Sequence, residues 1–500
     1  MTTVINTIGI AAHKRAPAKG SGPPPGGGSS GGLYKKREPI YPKLAHGRWR
    51  TIKWLVLVAT LGVYYLLPWV RWSRGPDAPG QAVLVDFTHA RFYFFFIQLW
   101  PQEIYYFTGL LVVAALALFL VSALFGRLWC GYACPQTVWT DLFIVAERLF
   151  EGDRNARMKL DAAPWSFDKA WRKSGKHAVW LAISLATGGA WVFYFHDAPT
   201  LLKQLFAGTA PATAYISAGV LTFTTYALAG GMREQVCTYM CPWPRIQGAM
   251  LDDHSLQVTY RVDRGEPRGA HKKGTGWEGR GDCVDCTQCV VVCPMGIDIR
   301  DGSQLECINC GLCIDACDDI MDKVGRPRGL IAFDTDAAVL DRQQGRKPQY
   351  QFLRARTLYY GVSLAAVGSV MLYGLLTRSP VALDVIRDRN PTFVRLADGE
   401  IRNGYTLKLM NRSNSSTSYR ISFSGPDGAR LKAVGLPETD GALNMPLGPD
   451  GQRALQVFVT APTPEDGHHS TSALFKINSP AGETVKKTVF LSGDEGDGRD

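Results

Sequence analysis

Residues Gly281–Asp319 read GDCVDCTQCVVVCPMGIDIRDGSQLECINCGLCIDACDD, and this stretch contains eight of the 12 cysteines in the chain. The eight fall into two runs of one spacing, in which successive cysteines are separated by two, two and three residues. The runs are Cys283, Cys286, Cys289, Cys293 and Cys307, Cys310, Cys313, Cys317. Bacterial ferredoxins bind 4Fe–4S clusters with this spacing, and the fourth cysteine of each run ligates the other cluster. The sequence therefore predicts an α+β ferredoxin-like domain with two clusters over residues 256–335.

The exchange of fourth ligands divides the eight cysteines into two sets. The first cysteine set is Cys283, Cys286, Cys289 and Cys317, and the second cysteine set is Cys293, Cys307, Cys310 and Cys313. A disulfide scaffold belongs in a small secreted domain, and a zinc site needs only two CxxC pairs. Both alternatives therefore explain the pattern less well than two 4Fe–4S clusters. Asp318 stands where a second proline is usual, which removes no ligand.

The overall composition conceals where the apolar residues lie. The 500 residues are 46% hydrophobic, with a mean hydropathy of −0.05 and a formal net charge of +11. The apolar residues form long blocks, and Lys and Arg cluster beside them, which is typical of chains that span membranes. Neither a recognition-helix pattern nor an RNA-stacking aromatic motif occurs, so we expect no nucleic-acid partner. The use of all 12 cysteines in motifs favours a reducing compartment for those parts.

Five blocks are apolar enough to cross a membrane as helices. They are Trp54–Val70, Ile104–Gly126, His177–Phe195, Ala212–Met232 and Leu358–Thr377. The first four lie in a transmembrane region over residues 51–255, and the fifth follows a linker within residues 336–379. Residues 1–50 form a basic arm whose Gly/Pro/Ser tract predicts disorder. The aromatic segment Phe87–Trp100 contains His89 and Arg91, which indicates an interfacial or re-entrant element.

The basic residues also predict the orientation. The arm and the loops after the second and fourth helices are rich in Lys and Arg, whereas residues 71–103 and 196–211 are poor in them. By the positive-inside rule, the amino terminus and the ferredoxin-like domain are cytoplasmic. An odd number of spans then puts the last domain in the periplasm of a Gram-negative cell, so the chain is predicted to be a multi-pass inner-membrane protein.

The last domain, residues 380–500, contains no cysteine. Its sequence alternates short apolar strands, such as Tyr405–Leu409 and Leu474–Ile477, with turn signals such as GPDG. Several short strands over ~100 residues are typical of an immunoglobulin-like sandwich. We interpret this domain as a docking module.

A second cysteine motif, CxxxCP, occurs twice, each time just after a predicted helix. It supplies Cys130 with Cys134 and Cys237 with Cys241. If the chain stays helical, each pair lies on one helix face, and the four thiols can converge beneath the bilayer. Soft sulfur ligands select Cu(I), and Met240 could add a thioether. A redox-active dithiol and simple packing are the alternatives.

Other cofactor motifs are absent from the sequence. It contains no CxxCH for covalent haem and no GxGxxG after a strand for a dinucleotide. His177 and His196 lie at opposite ends of the third predicted span, so they cannot share a haem. The motifs therefore indicate electron transfer without a hydride cofactor.

The order of these elements resembles the CcoG family of cytochrome c oxidase accessory proteins, also called the FixG or RdxA family. The resemblance rests on LWCGYACPQTVW, on REQVCTYMCPWPRIQGAM, on the paired ferredoxin runs and on the single span before the sandwich. It implies maturation of a cbb(3)-type haem–copper oxidase by reduction of Cu(II) to Cu(I), with copper at the four CxxxCP cysteines. Oxidase subunits or a copper chaperone would then be partners, with an unknown electron donor and a homodimer left open.

Two other hypotheses stay open at this stage. NapH- and NosR-type membrane ferredoxins share both cysteine motifs, which favours an electron conduit between quinol or a cytoplasmic donor and a periplasmic partner. The third hypothesis is an assembly scaffold without catalytic activity, in which the clusters sense redox state or stabilise the fold.

Overall fold

The structure is a computed structural model of the chain. It describes residues 39–74, 78–271, 274, 276–379, 381–412, 416–436, 438–439, 441–449, 451–463, 470–479 and 482–492. The predicted arm lies outside the described residues up to position 38. Its described end is folded, because Lys43 N donates to Val291 O and Arg50 N donates to the Asp315 carboxylate. The predicted arm boundary at residue 50 is therefore too late.

Helices dominate the described chain up to residue 376. The α-helices are Arg48–Leu66, Ile104–Phe125, Leu128–Tyr132, Pro135–Glu151, Arg154–Ala162, Phe167–Val192, Ala198–Ala207, Ala212–Thr225, Trp243–Gly248, Val262–Gly265, Gln288–Val291, Leu312–Lys323, Asp336–Gln343 and Ala355–Leu376. The 3-10 helices are Leu67–Trp69, Pro101–Glu103 and Ile299–Asp301, and the π-helical turns are Tyr226–Met232 and Val236–Met240.

Three helical segments of the described chain are long and apolar enough to cross a membrane. They are Arg48–Trp69, Ile104–Phe125 and Ala355–Leu376, and they match the first, second and fifth predicted spans. The other two predicted spans are helical but less clearly apolar. Phe167–Val192 begins with the polar sequence FDKAWRKSGK, and Ala212–Thr225 has only 14 α-helical residues before its π-helical turn. The structure thus supports three spans and leaves the count of five unconfirmed.

The aromatic segment between the first two spans folds as a small sheet rather than as a re-entrant element. Its strands are β1 (Val83–Asp86), β2 (Arg91–Phe94) and β3 (Ile97–Leu99), paired antiparallel in that order. Tyr93 is buried and its neighbour Phe94 is exposed, as in a half-buried strand whose successive side chains point to opposite faces. The sheet contacts the end of helix Phe167–Val192, since Val85 N donates to Tyr194 O.

A buried ion pair fixes the helix that follows the first CxxxCP motif. Asp141, on helix Pro135–Glu151, accepts two hydrogen bonds of 3.0 Å from Arg50 and lies 3.7 Å from Lys53 Nζ. Burial raises the pKa of the Asp141 carboxyl, but Lys53 and Arg50 together bring it below its ordinary value. Helix Arg48–Leu66 is therefore attached by charge to the helix that starts at Pro135.

The ferredoxin-like domain packs its helices beside a two-stranded antiparallel sheet. The strands are β4 (Gln257–Tyr260) and β5 (Ile331–Asp334), with Val258 opposite Phe333. Its buried core combines apolar side chains of both strands with the cysteines themselves, including Cys283 and Cys289. The cysteines are thus part of the core of a small domain.

The last domain is a sandwich of two antiparallel sheets. Its strands are β6 (Val381–Arg387), β7 (Val394–Arg395), β8 (Ile401–Asn411), β9 (Thr417–Ser424), β10 (Arg430–Ala433), β11 (Glu438–Thr439), β12 (Ala442–Leu447), β13 (Gln452–Ala461), β14 (Ser470–Ser479) and β15 (Gly482–Leu491). One sheet has the order β10-β13-β8-β6 with β7 beside β8, and the other has the order β11-β12-β9-β14-β15. Alternate residues of both sheets fill one core, which confirms the predicted immunoglobulin-like domain.

Glu103 connects the sandwich to the helical region. Its side chain, which is 1% exposed, pairs with Arg378 at the end of the last helix and with Arg412 after β8. This contact lies at the start of helix Ile104–Phe125, whereas Cys130 follows the opposite end of that helix. The sandwich and the cysteine motifs therefore lie at opposite ends of one apolar helix.

Candidate metal centres and the thiol pocket

The two ferredoxin runs share one backbone conformation. In each run the second and fourth residues after the first cysteine have positive φ, with values of 53° and 55° at Asp285 and Thr287 and of 52° and 74° at Asn309 and Gly311. A helix begins within each run, Gln288–Val291 in one case and Leu312–Lys323 in the other. This repeated left-handed turn curves each cysteine run around a common centre.

The predicted exchange of ligands agrees with the cavities in this domain. All four cysteines of the first set line one cavity, together with Tyr260 and Arg300. All four cysteines of the second set line another, together with Met295, Ile308 and Cys289, which borders both cavities. Each cavity has a volume of about 20 Å³. Cys317 thus faces the first set although it belongs to the second run, and Cys293 faces the second set although it belongs to the first.

The donor chemistry of these cavities fits iron–sulfur clusters. All 12 cysteines are free thiols, and Cys286 is exposed whereas Cys283, Cys289 and Cys310 are buried. Burial raises the pKa of the Cys289 and Cys293 thiols to about 12 and that of Cys307 to about 11. A buried thiol resists ionisation without a cation, so an iron centre that binds thiolate would stabilise this domain as it binds.

The CxxxCP pairs do not lie on continuous helices as predicted. Helix Leu128–Tyr132 ends before Cys134, whose ψ of 128° is extended, and Pro135 begins the next helix. Cys237 lies in the π-helical turn Val236–Met240, and Cys241 is again extended. Proline explains the break, because it favours an extended conformation in the preceding residue and the first position of a new helix.

The four CxxxCP cysteines nevertheless meet. Cys130, Cys134, Cys237 and Cys241 all line one cavity of about 250 Å³, which we call the thiol pocket. Burial, reinforced by the neighbouring thiols, raises the pKa of Cys130 to about 12 and that of Cys237 to about 11. Cys130 Sγ donates to Gln247 Oε1 at 3.1 Å.

The pocket differs from its sequence-based description in two respects. Met240, the predicted thioether ligand, is 55% exposed and does not line the cavity. Across the described residues, no three His, Cys, Asp or Glu side chains are grouped as a single bound metal ion would require. The four thiols therefore surround a space larger than one ion, and they would have to move inward to coordinate one.

The thiol pocket lies directly against the second cysteine set. Ile308, between Cys307 and Cys310, lines both cavities. Tyr132, between the cysteines of the first CxxxCP motif, donates its hydroxyl to Cys310 O at 3.0 Å. Sequence reasoning missed this contact, because residues 132 and 310 are remote in the chain and neither motif refers to the other.

Comparison with known proteins matches three stretches of the chain to families. A family described as a 4Fe–4S dicluster domain matches residues 232–336, and one described as an IG-like fold at the C-terminal of FixG matches residues 371–493. A third, described as a 4Fe–4S binding domain, matches residues 107–151, which include the first CxxxCP motif.

Full-length relatives decide the family. Nitrogen fixation protein FixG of Rhizobium meliloti is 53% identical over 461 residues, which cover 86% of this chain and 88% of that protein. The chain belongs to the FixG/RdxA family. Among other members, protein RdxA of Cereibacter sphaeroides is 50% identical over 87% of this chain and 92% of its own, and RdxB of the same organism is 47% identical over 92% and 97%.

A solved structure of a FixG-related protein from Vibrio parahaemolyticus aligns with 23% of this chain and 97% of its own length, at 20% identity and a TM-score of 0.20. The three family matches and the apolar helices make the present chain an iron–sulfur protein with 4Fe–4S domains, apolar helices compatible with a membrane and an immunoglobulin-like carboxyl-terminal domain.

Proposed function

We propose that this protein is a membrane iron–sulfur oxidoreductase that reduces Cu(II) to Cu(I) in the thiol pocket. The observation that carries the proposal is the convergence of all four CxxxCP cysteines on one cavity whose wall, at Ile308, is also the wall of the second-set cavity. The eight ferredoxin cysteines hold two 4Fe–4S clusters, which supply single electrons when bound. The copper ion is the substrate of this reaction.

The chemistry of the pocket favours the reduced product. Thiolates are soft ligands that bind Cu(I) in preference to Cu(II), so their presence raises the effective potential of the copper couple. Burial of Cys130 and Cys237 shields this exchange from solvent, whereas the exposed Cys241 leaves one side open for a copper ion to enter. The protein thus binds the oxidised ion weakly and the reduced ion strongly.

We propose five membrane spans, with the cysteine motifs in the cytoplasm and the sandwich in the periplasm of a bacterial inner membrane. Helices Phe167–Val192 and Ala212–Thr225 pack against each other as a pair. They therefore either both cross the membrane or both stay on one side, and the sandwich lies opposite the ferredoxin-like domain in either case. Gln81 Nε2 donates to Phe193 O at 2.7 Å, which supports a third helix that reaches the same side as the loop after the first span.

The proposed role of the reaction is the maturation of a cbb(3)-type cytochrome oxidase, whose copper centre requires Cu(I). This role rests on the resemblance to the oxidase accessory family. An oxidase subunit or a copper chaperone would be the partner of the sandwich, and a separate cytoplasmic donor would reduce the clusters.

Copper reduction by anaerobically purified, cluster-loaded and prereduced protein tests the proposal. Cu(II) is added, and Cu(I) is followed with a cuprous-specific chelator in the wild type and in Cys130→Ser/Cys237→Ser. We expect the double variant to lose the reaction while keeping its cluster absorption. Equal rates would mean that the thiol pocket is not the copper site. No reaction in either protein would favour the electron conduit or the assembly scaffold.

A second candidate for the thiol pocket is a third 4Fe–4S cluster. Two observations favour it: the match of residues 107–151 to a 4Fe–4S binding family, and the spacing of the thiols, which are not grouped for a single ion. Iron analysis separates the candidates. Two clusters contain about eight iron atoms per chain and three contain about twelve, since each cluster holds four.

A further inference from the structure

Arg127 makes the most extensive contacts between the thiol pocket and the second cysteine set. It follows the apolar helix Ile104–Phe125 and is 4% exposed. Its Nη1 donates to Leu305 O and, at 3.4 Å, to Cys307 O. Its Nη2 donates to Pro244 O at 2.6 Å, just after the second CxxxCP motif. One guanidinium thus connects Pro244, after the second CxxxCP motif, with Leu305 and Cys307, which lie more than 60 residues later in the chain.

The first CxxxCP motif, three residues after Arg127, packs closely against the second cysteine set. A Cβ at Gly131, inside the first CxxxCP motif, would lie 2.5 Å from Ile308 O and 3.1 Å from Cys310 Cα, so only glycine allows this approach. Cys130 packs in the same apolar cluster as Cys310 and Cys313. The first CxxxCP motif therefore contacts the second set directly, through the backbone at Gly131 and the sulfur of Cys130.

Among the described residues, by contrast, the cavity of the first cysteine set includes no residue of the CxxxCP motifs in its lining. Its cavity is lined only by residues of the ferredoxin-like domain, from Tyr260 to Ile331, and its Cys286 is exposed. The arginine at its wall, Arg300, pairs with Asp285 and Asp298 of the same domain. The second set therefore borders the thiol pocket, whereas the first set borders the solvent-exposed surface of its own domain.

We propose that Arg127 is a positioning residue that holds the second cysteine set against the thiol pocket, so that electrons reach the pocket from the second set and enter the protein at the first. This inference rests on the proposed function. Each electron lost by a cluster that the second set would hold is gained by one copper ion, which passes from Cu(II) to Cu(I). No atom or proton is transferred.

The guanidinium also contributes a charge beside the second set. Reduction adds negative charge to a cluster, and a nearby cation stabilises the reduced form and raises the reduction potential. Replacement of Arg127 with a neutral residue should therefore lower one of the two cluster potentials and leave the other unchanged. A merely structural residue would not produce this selective shift.

The test compares Arg127→Gln with Arg245→Gln, in which the same charge is removed from an exposed arginine of helix Trp243–Gly248, one residue after Pro244. Both variants are purified anaerobically with measured iron content. A redox titration followed by electron paramagnetic resonance gives the cluster potentials, and stopped-flow mixing with Cu(II) gives the transfer rate from the prereduced protein.

We expect Arg127→Gln to lower one cluster potential and to slow copper reduction about 10-fold or more, the usual cost of losing a partner of a metal ligand. Arg245→Gln should change neither quantity. Gly131→Ala, which keeps the charge but separates the surfaces, should slow the transfer without the same shift in potential. If Arg127→Gln loses iron, Gly131→Ala alone tests the contact.

Unchanged potentials and rates in Arg127→Gln and Gly131→Ala would overturn the inference while leaving copper reduction by the wild type intact. Failure of the wild type to reduce copper would instead contradict the proposed function. In that case the titration still tests the inference, because the selective shift in one potential does not depend on copper.

Discussion

Each cysteine set offers four thiols, and the two runs share one backbone turn. The protein surfaces around the two sets nevertheless differ. Around the first set, the exposed Asp285, Cys286 and Thr287 face solvent. Around the second set, Cys310 is 8% exposed, and its carbonyl accepts a hydrogen bond from Tyr132 of the helical region. The two sets therefore have the same ligands but different exposure to solvent. This difference suits an electron path in which the first set faces a donor and the second set faces an acceptor.

The contacts that stabilise each set differ in the same way. Asp282, beside the first set, is 2% exposed and pairs with Arg264 and Arg326 of its own domain. Asp315, in the second run, accepts from Trp49 N and Arg50 N at the start of the first membrane helix. The ion pairs of Asp282 thus stay within the ferredoxin-like domain, whereas Asp315 attaches the second run to helix Arg48–Leu66.

The largest expected effect comes from removing a ligand from each set. Cys313→Ser and Cys286→Ser should each lower the iron content by about half, because each deletes a ligand of one 4Fe–4S cluster. Cys313 is more deeply buried than Cys286, so its variant should also lose about 1–3 kcal/mol of unfolding free energy for the buried hydroxyl. Iron analysis and urea denaturation measure both effects, and equal destabilisation would contradict the difference in burial.

Asp282→Asn should be the next most damaging change, and it should affect only the first set. Removal of one partner leaves Arg264 and Arg326 beside a neutral amide, which costs about 3–5 kcal/mol when an ion pair is buried. Both arginines are partly exposed, which reduces that cost. Asp168→Asn is the control, since its pair with Arg172 is on the surface and is worth about 0–1 kcal/mol. Urea denaturation should show a larger loss of unfolding free energy in Asp282→Asn than in Asp168→Asn. Equal losses in the two variants would mean that burial of Asp282 does not strengthen its ion pairs.

Gly126→Ala tests the attachment of the second set. Gly126 has a φ of 60°, and a Cβ there would lie 2.5 Å from Asn309 Nδ2 and 2.8 Å from Leu256 O. We expect a loss of about 1–3 kcal/mol from overpacking, in addition to the backbone strain. Gly302→Ala is a matched control, because its φ of 96° is also positive but nothing lies within 4 Å of the added carbon. Equal losses of unfolding free energy in the two variants would contradict the close approach.

The smallest expected effect concerns single hydroxyls. Tyr132→Phe removes the bond to Cys310 O, and Tyr260→Phe removes the bond of 3.1 Å to Glu266 near the first set. Each should cost about 0.5–1.5 kcal/mol in unfolding free energy. Only Tyr132→Phe should increase the alkylation rate of the thiol pocket, measured by mass spectrometry of maleimide-labelled peptides. A similar increase in Tyr260→Phe would mean that loosening any part of the ferredoxin-like domain exposes the thiol pocket, and that the Tyr132 bond has no special role.

Local sequence patterns predicted the parts of this molecule that depend on short-range spacing. The cysteine spacing gave the correct two-run architecture, and alternating residues such as those of Tyr405–Leu409 gave the sandwich. Duplication of CxxxCP also predicted that the four thiols meet, although the assumed continuous helix was wrong at Pro135. The conformational preference of proline was visible in the sequence and should have indicated the break.

Long-range contacts could not be predicted in this way. Arg127 is one basic residue among many near helix ends, and only the folded chain brings its guanidinium to Cys307 O and Pro244 O. The sheet β1–β3 was also missed, because aromatic residues suit both a membrane interface and a half-buried strand. In both cases the decisive partner lies far away in the chain.

The most direct test of the central claim is a combined count of iron and copper on one sample. Wild-type protein and Cys130→Ser/Cys237→Ser are purified anaerobically, incubated with Cu(I) and freed of unbound metal before elemental analysis. If the thiol pocket binds copper, both proteins contain about eight iron atoms per chain, four in each of two clusters, and only the wild type retains Cu(I). About twelve iron atoms in the wild type and about eight in the variant would contradict the claim and assign the pocket to a third cluster.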